Sequence, residues 1–92
     1  MDTPTEMTLT LFKPVQLTDA AEPVRELYLT EPTAEQLAAA GAASGVQSNI
    51  LLIAAVAKQP AGLIGKLCAR DYAKAANFLL GFLNPDQQTG GN

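Results

Sequence analysis

The sequence predicts an α+β fold dominated by helix, with an N-terminal β-hairpin followed by three or four packed helices. Two period-two stretches near the N-terminus predict the hairpin. A switch to helical spacing after Pro32-Thr33 predicts the helices, and prolines and glycines divide them. At 92 residues the chain is long enough for one domain, and it is 48% hydrophobic, which supplies ample material for a core.

Residues 1–6 read as a flexible polar tail. From Met7 to Phe12, Met7, Leu9 and Leu11 alternate with Thr8 and Thr10, the pattern of a half-buried strand. After the polar stretch Thr18–Pro23, Leu27 and Leu29 share one face of a second alternating run, and Val24, Glu26 and Tyr28 share the other. The hairpin is therefore expected over 7–29. Two strands alone are marginal in water, so it should lean on helices.

Thr33 followed by Gln36 has capping-box spacing and opens a helix over about 34–43, rich in alanine and weakened toward Gly41 and Gly45. Ser44 and Gln47 repeat that spacing ahead of a second helix over about 46–58, with Ser48 as an alternative cap. This helix carries Val46, Ile50, Ile53, Ala54 and Ala57 on one stripe, and Leu51, Leu52 and Val56 widen it. A helix that is apolar over most of its circumference sits in the centre of the core or covers a partner site. Pro60 ends it. A short helix over 61–67 and a longer one over 69–83 follow, the latter with a stripe of Tyr72, Ala75, Ala76, Leu79, Leu80 and Leu83, and with Phe78 and Phe82 along a second edge. Asn84-Pro85 stops it, and 84–92 reads as a flexible tail. Residues 7–83 are thus expected to form a single domain.

The chain contains no histidine, so it has no imidazole base, no Ser–His or Cys–His pair and no histidine metal ligand. Its carboxylates are scattered, and Gly62-Leu63-Ile64-Gly65-Lys66 lacks the spacing of a phosphate-binding loop. Catalytic, cofactor-binding and metal-binding residues are expected to be none, and the protein is expected not to be an enzyme. The net charge is −3 with six basic residues and no basic cluster, which argues against nucleic acid as a partner. The longest apolar run, Ile50–Ala57, is far short of the ~20 residues of a membrane span. The polar N-terminus lacks the features of a signal peptide. The expected compartment is the cytoplasm. The lone Cys68, between Leu67 and Ala69, reads as a buried, inert thiol. Asp71 reads as a first-turn carboxylate that satisfies free helix N–H groups and the dipole. Tyr28 and Tyr72 are either core-edge residues with a wet hydroxyl or interface anchors.

The ordered pattern resembles the small tail assembly chaperones of contractile-tailed, Mu-like bacteriophages and prophages. In that family an N-terminal hairpin leads to a phrase close to L-x-L-R-E-P-T-x-x-D-L, here Leu27, Leu29, Glu31, Pro32, Thr33 and Leu37. An apolar helix with Ile53 and a break at Pro60 follow, then Leu63 and Leu67, then Asp71-Tyr72 opening a last helix that ends near Gly81-Phe82. The resemblance covers about residues 9–83. Thr30 stands where the family usually has arginine, and Gln36 where an acidic residue is common. Glu31, Pro32, Thr33, Pro60 and Asp71 are structural residues of the motif.

The resemblance implies a chaperone that coats the long helical tape-measure protein, keeps it soluble and helps recruit tail-tube subunits. Such a protein is absent from the finished virion, and a frameshifted longer form is typical of the family. A helix-accepting apolar surface suits that role, and Leu52, Val56, Tyr72, Phe78 and Phe82 are the expected partner-binding residues. Most other apolar residues are expected in the core. An exposed apolar helix face in so small a domain also points to a homo-oligomer. The alternatives are a small structural component of the phage tail and an unrelated protein-binding regulator.

Overall fold

The computed structural model describes residues 5–41 and 43–83; the expected tail 84–92 and residues 1–4 lie outside them. An antiparallel hairpin of β1 (Glu6–Val15) and β2 (Val24–Thr30) is followed by α1 (Ala34–Ala40), α2 (Gly45–Ala57), α3 (Ala61–Ile64) and α4 (Ala69–Leu80). The fold is α+β and helix-dominated. One face of the hairpin packs on α2 and α4, while α1 and α3 pack on α2.

The alternation of β1 and β2 sets the register. Met7 pairs with Leu29 and Leu9 with Leu27, so the large side chains of both strands point to the same face. Thr8 and Tyr28 pair on the solvent side. There the Tyr28 hydroxyl donates to the Glu6 carboxylate. That bond, followed by slight desolvation and the Glu6 charge, pushes the Tyr28 pKa up. Glu6 is the first residue of β1 and the Thr5 carbonyl accepts from Glu31 N at 2.8 Å, so the paired structure begins inside the segment expected as a tail.

β1 also outlasts its expected end at Phe12. Thr10 pairs with Glu26 and Val15 with Val24, so residues 11–14 on β1 lie opposite Arg25 alone. This is an irregular bulge, and Leu11, Phe12, Lys13 and Pro14 all lack one-to-one register partners. The loop 16–23 is organised by Gln16, whose Nε2 donates to the carbonyls of Thr18, Asp19 and Ala21 at 2.9, 3.3 and 3.1 Å.

Thr33 and Gln36 form the reciprocal capping box of α1: Thr33 Oγ1 accepts from Gln36 N at 3.2 Å, and Gln36 Oε1 accepts from Thr33 N at 2.9 Å. The helix stops at Ala40 rather than 43, with Gly41 as its C-cap, whose N–H donates to Leu37 O at 2.9 Å. Ser44 sits at the N-cap of α2 without a side-chain cap bond. Ser48, the alternative cap, instead donates its hydroxyl to Ala40 O at 3.0 Å and ties α2 to the end of α1.

α2 closes with Lys58 in the left-handed region (φ 59°), the one non-glycine residue with positive φ among those described. Pro60 then precedes α3, which is one turn rather than the expected seven residues. Gly65 N bonds Ala61 O at 2.9 Å, and a separate turn carries Lys66 and Leu67. α4 likewise ends at Leu80, where Gly81 caps it, and residues 81–83 form a turn.

The core explains the composition of α2. Leu52, Ile53, Ala54 and Val56 are buried together with Leu27 and Leu29 of β2, Leu63 and Ile64 of α3, and Ala75, Ala76 and Leu79 of α4. A helix with neighbours on several sides needs apolar residues round most of its circumference. Leu52 and Val56 are each 4% exposed. Their expected role in partner binding is therefore corrected: they are core residues, occupied by the protein's own packing. Burying each such side chain stabilises the fold by about 1.5–3 kcal/mol.

Candidate functional site

A shallow groove of about 250 Å³ opens between the first turns of α2, the end of α3 and the start of α4. It is lined by Val46 and Ile50 of α2, by Ile64, Gly65 and Leu67 at and after the end of α3, and by Ala69 and Tyr72 of α4. Helical geometry sets this up: Val46 and Ile50 are four apart and share a face, as do Ala69 and Tyr72 at three apart. Val46 is 59% exposed, a large β-branched side chain left in water at the mouth of an apolar depression. Tyr72 is half-buried, and its hydroxyl accepts from Asn49 Nδ2 at 2.8 Å, which fixes α4 against α2 along the groove.

The start of α4 is also held from the hairpin side. Asp71 has no exposed surface, and its carboxylate accepts from Phe12 N at 2.9 Å and from Lys13 N at 3.1 Å. Both amides belong to the bulged stretch of β1, where no one-to-one register partner faces them. Cys68 Sγ donates to the same carboxylate at 3.3 Å. Burial pushes the Asp71 pKa up, but the bonds from Phe12, Lys13 and Cys68 and the charge of Lys74 outweigh it and hold the carboxyl below its usual value. Asp71 does stand in the first turn of α4, as expected, and the correction concerns its donors. It does accept backbone N–H groups, but they belong to the strand and not to its own helix. Cys68 is half-buried and hydrogen-bonded, rather than a buried thiol among apolar side chains. The Arg70 guanidinium lies 4.1 Å from the ring centroid of the exposed Phe12, adding a cation–π contact at the same junction.

Of the expected partner residues, Tyr72 alone lines the groove. Phe78 and Phe82 touch each other edge-on, with ring centroids 5.3 Å apart, and both are half-buried. Phe78 lies six residues beyond Tyr72, about 240° round the helix axis, so the pair belongs to another face of α4. Among the motif residues, Thr33 is the cap of α1, Pro32 precedes it half-buried, Glu31 is exposed and contributes its backbone to the β1 end, and Pro60 caps α3. Val46, Ile50, Leu67 and Asn49 are groove or groove-bracing residues that the sequence reading did not assign to a site. The spacing of Val46 and Ile50 was visible, but nothing local distinguishes a stripe facing a groove from one facing the core.

Among the described residues no group of three or more His, Cys, Asp or Glu is placed to hold a metal ion, and no helix is long and apolar enough to cross a membrane. The groove offers apolar walls and one phenol, which suits recognition of an apolar side-chain row.

The family model described as phage tail assembly chaperone proteins, E, or 41 or 14, matches residues 8–84. The chain belongs to the phage tail assembly chaperone family. No curated protein and no solved structure gives a match. The matched region runs from β1 through the turn after α4, so the hairpin, the groove and the Asp71 junction all lie within the part that carries family membership. Membership implies binding to phage tail proteins.

Proposed function

We propose that this tail assembly chaperone binds the tape-measure protein, the long helical component around which a tail tube forms, and shields its apolar face until tail-tube subunits enclose it. The proposal includes residence in the bacterial host cytoplasm, absence from the finished particle and no enzymatic activity. The observation that carries it is the open apolar groove between α2, α3 and α4, bordered by the 59%-exposed Val46. A row of apolar side chains spaced i, i+3, i+4 along an amphipathic helix fits such a groove, and a polypeptide of that kind left uncovered aggregates. The modest size of the groove suits a contact that must be released.

The test is co-expression with the tape-measure protein of the same phage or prophage. Co-purification of a soluble complex is expected, and Val46→Glu should shift the tape-measure protein to the insoluble fraction while the variant itself stays folded. A tape-measure protein that remains insoluble and unbound beside the wild-type chain contradicts the proposal. Mass spectrometry of purified particles separates a chaperone, which is missing from them, from a structural tail component, which is present.

A further inference from the structure

We infer that the groove between α2, α3 and α4 selects an amphipathic helix whose apolar stripe is flanked by carboxylates; this rests on the groove being the partner site proposed above. The charge distribution of the chain supplies the argument. Although the protein is net negative, no Asp or Glu occurs between Glu35 and Asp71, and that stretch carries Lys58, Lys66 and Arg70. Residues 1–35 hold seven acids (Asp2, Glu6, Asp19, Glu22, Glu26, Glu31, Glu35) against Lys13 and Arg25, a net −5, while residues 36–92 hold two acids and four bases, a net +2; the two sum to the −3 of the chain. All the groove-lining residues lie in the second part.

Three features place positive character at the groove itself. Lys66 is exposed and stands between Gly65 and Leu67, both of which line the groove. The N-terminal turn of the 13-residue α2 opens at Gly45, beside the groove-lining Val46, has no acidic residue and receives no side-chain cap bond from Ser44. The Tyr72 hydroxyl accepts from Asn49, which leaves its own proton to donate. The one carboxylate adjoining the groove in sequence, Asp71, is turned away and satisfied by the amides of Phe12 and Lys13. An occupant with carboxylates beside its stripe would therefore meet cationic and donor groups with no acid from α2 or α3, while the Asp71 of α4 is engaged by the hairpin amides. An occupant with lysines there would meet like charge.

The experiment uses the full chain and two synthetic helical peptides with the same leucine stripe, flanked by glutamates in one and lysines in the other. Fluorescence anisotropy should show the glutamate peptide binding about tenfold more tightly at low salt. The gap should contract severalfold at about 0.5 M salt as exposed charges are screened. Lys66→Glu, at an exposed site that leaves the core untouched, should narrow or reverse the preference. Equal affinities, a preference for the lysine peptide, binding of neither peptide or a preference unaffected by Lys66→Glu would each overturn the inference. A tape-measure protein that still co-purifies in those cases keeps the chaperone reading while removing this one. Selective binding of the glutamate peptide without capture of the tape-measure protein does the reverse.

Discussion

Asp71→Asn is the substitution whose outcome the structure specifies most closely. The side chains are nearly the same size, so packing is preserved and the hydrogen bonds are what change. The carboxylate accepts from Phe12 N and Lys13 N through separate oxygens, and also from Cys68 Sγ. An amide retains one acceptor oxygen and places an NH₂ where the second oxygen was. One of the two backbone amides then faces a donor. Losing a bond to a charged acceptor costs about 1.5–3 kcal/mol, and an unsatisfied buried donor costs about 1–3 kcal/mol. Relief of the carboxylate's desolvation offsets part of this. Asp71 itself is inaccessible, but it lies directly beneath a bulge whose residues 12–14 are exposed, so solvent screening argues for the lower part of the range. The expected loss is about 2 kcal/mol, read as a lowered urea midpoint at unchanged m. That corresponds to roughly 8–16 °C in melting temperature for a domain of this size.

The pH dependence has a definite sign. The folded-state pKa of Asp71 is depressed, so its contribution is fully present above the unfolded value of about 3.9 and is lost as pH falls through the lower folded value. The gap between wild type and Asp71→Asn should be constant above about pH 5 and should close at lower pH. A loss under about 0.5 kcal/mol at neutral pH, or a gap that widens in acid, would refute the reading of Asp71 as the pin between α4 and the β1 bulge.

Other substitutions test other parts of the fold. Lys58→Gly removes the cost of a non-glycine residue at φ 59° and should stabilise the protein by about 0.5–1 kcal/mol in thermal melts. Thr33→Ala breaks the capping box and should cost about 1 kcal/mol in urea unfolding. Leu52→Ala should cost about 2–5 kcal/mol through a core cavity. Its partner affinity per folded molecule, measured by titration at a temperature where the variant is folded, should match wild type, because the side chain faces its own core.

Local signals made much of this fold legible. Alternation in 7–12 and 24–29 marks both strands because one face of the sheet is buried and the other wet, and Thr33 with Gln36 marks the start of α1 because a cap is a contact between residues three apart. What stayed hidden was non-local. Phe12 and Lys13 lie in the bulged stretch 11–14, and the carboxylate that accepts from their amides is 59 and 58 residues away, so the proximity of Asp71 to its own helix start suggested the wrong donors. Leu52 and Val56 show the same limit: an all-round apolar helix is compatible with a central position or an exposed binding face, and only the placement of β2, α1, α3 and α4 around it decides. The groove combines residues from three helices, with Val46 and Tyr72 26 positions apart, and no spacing rule reaches across that distance.

The groove, and not the hairpin's solvent face, is the proposed site of partner binding. A photo-crosslinking residue introduced at Val46, compared with one at the exposed Thr8 of β1, tests this in the co-expressed complex. A covalent adduct with the tape-measure protein is expected from position 46 and none from position 8. An adduct from position 8 alone would contradict the proposed site.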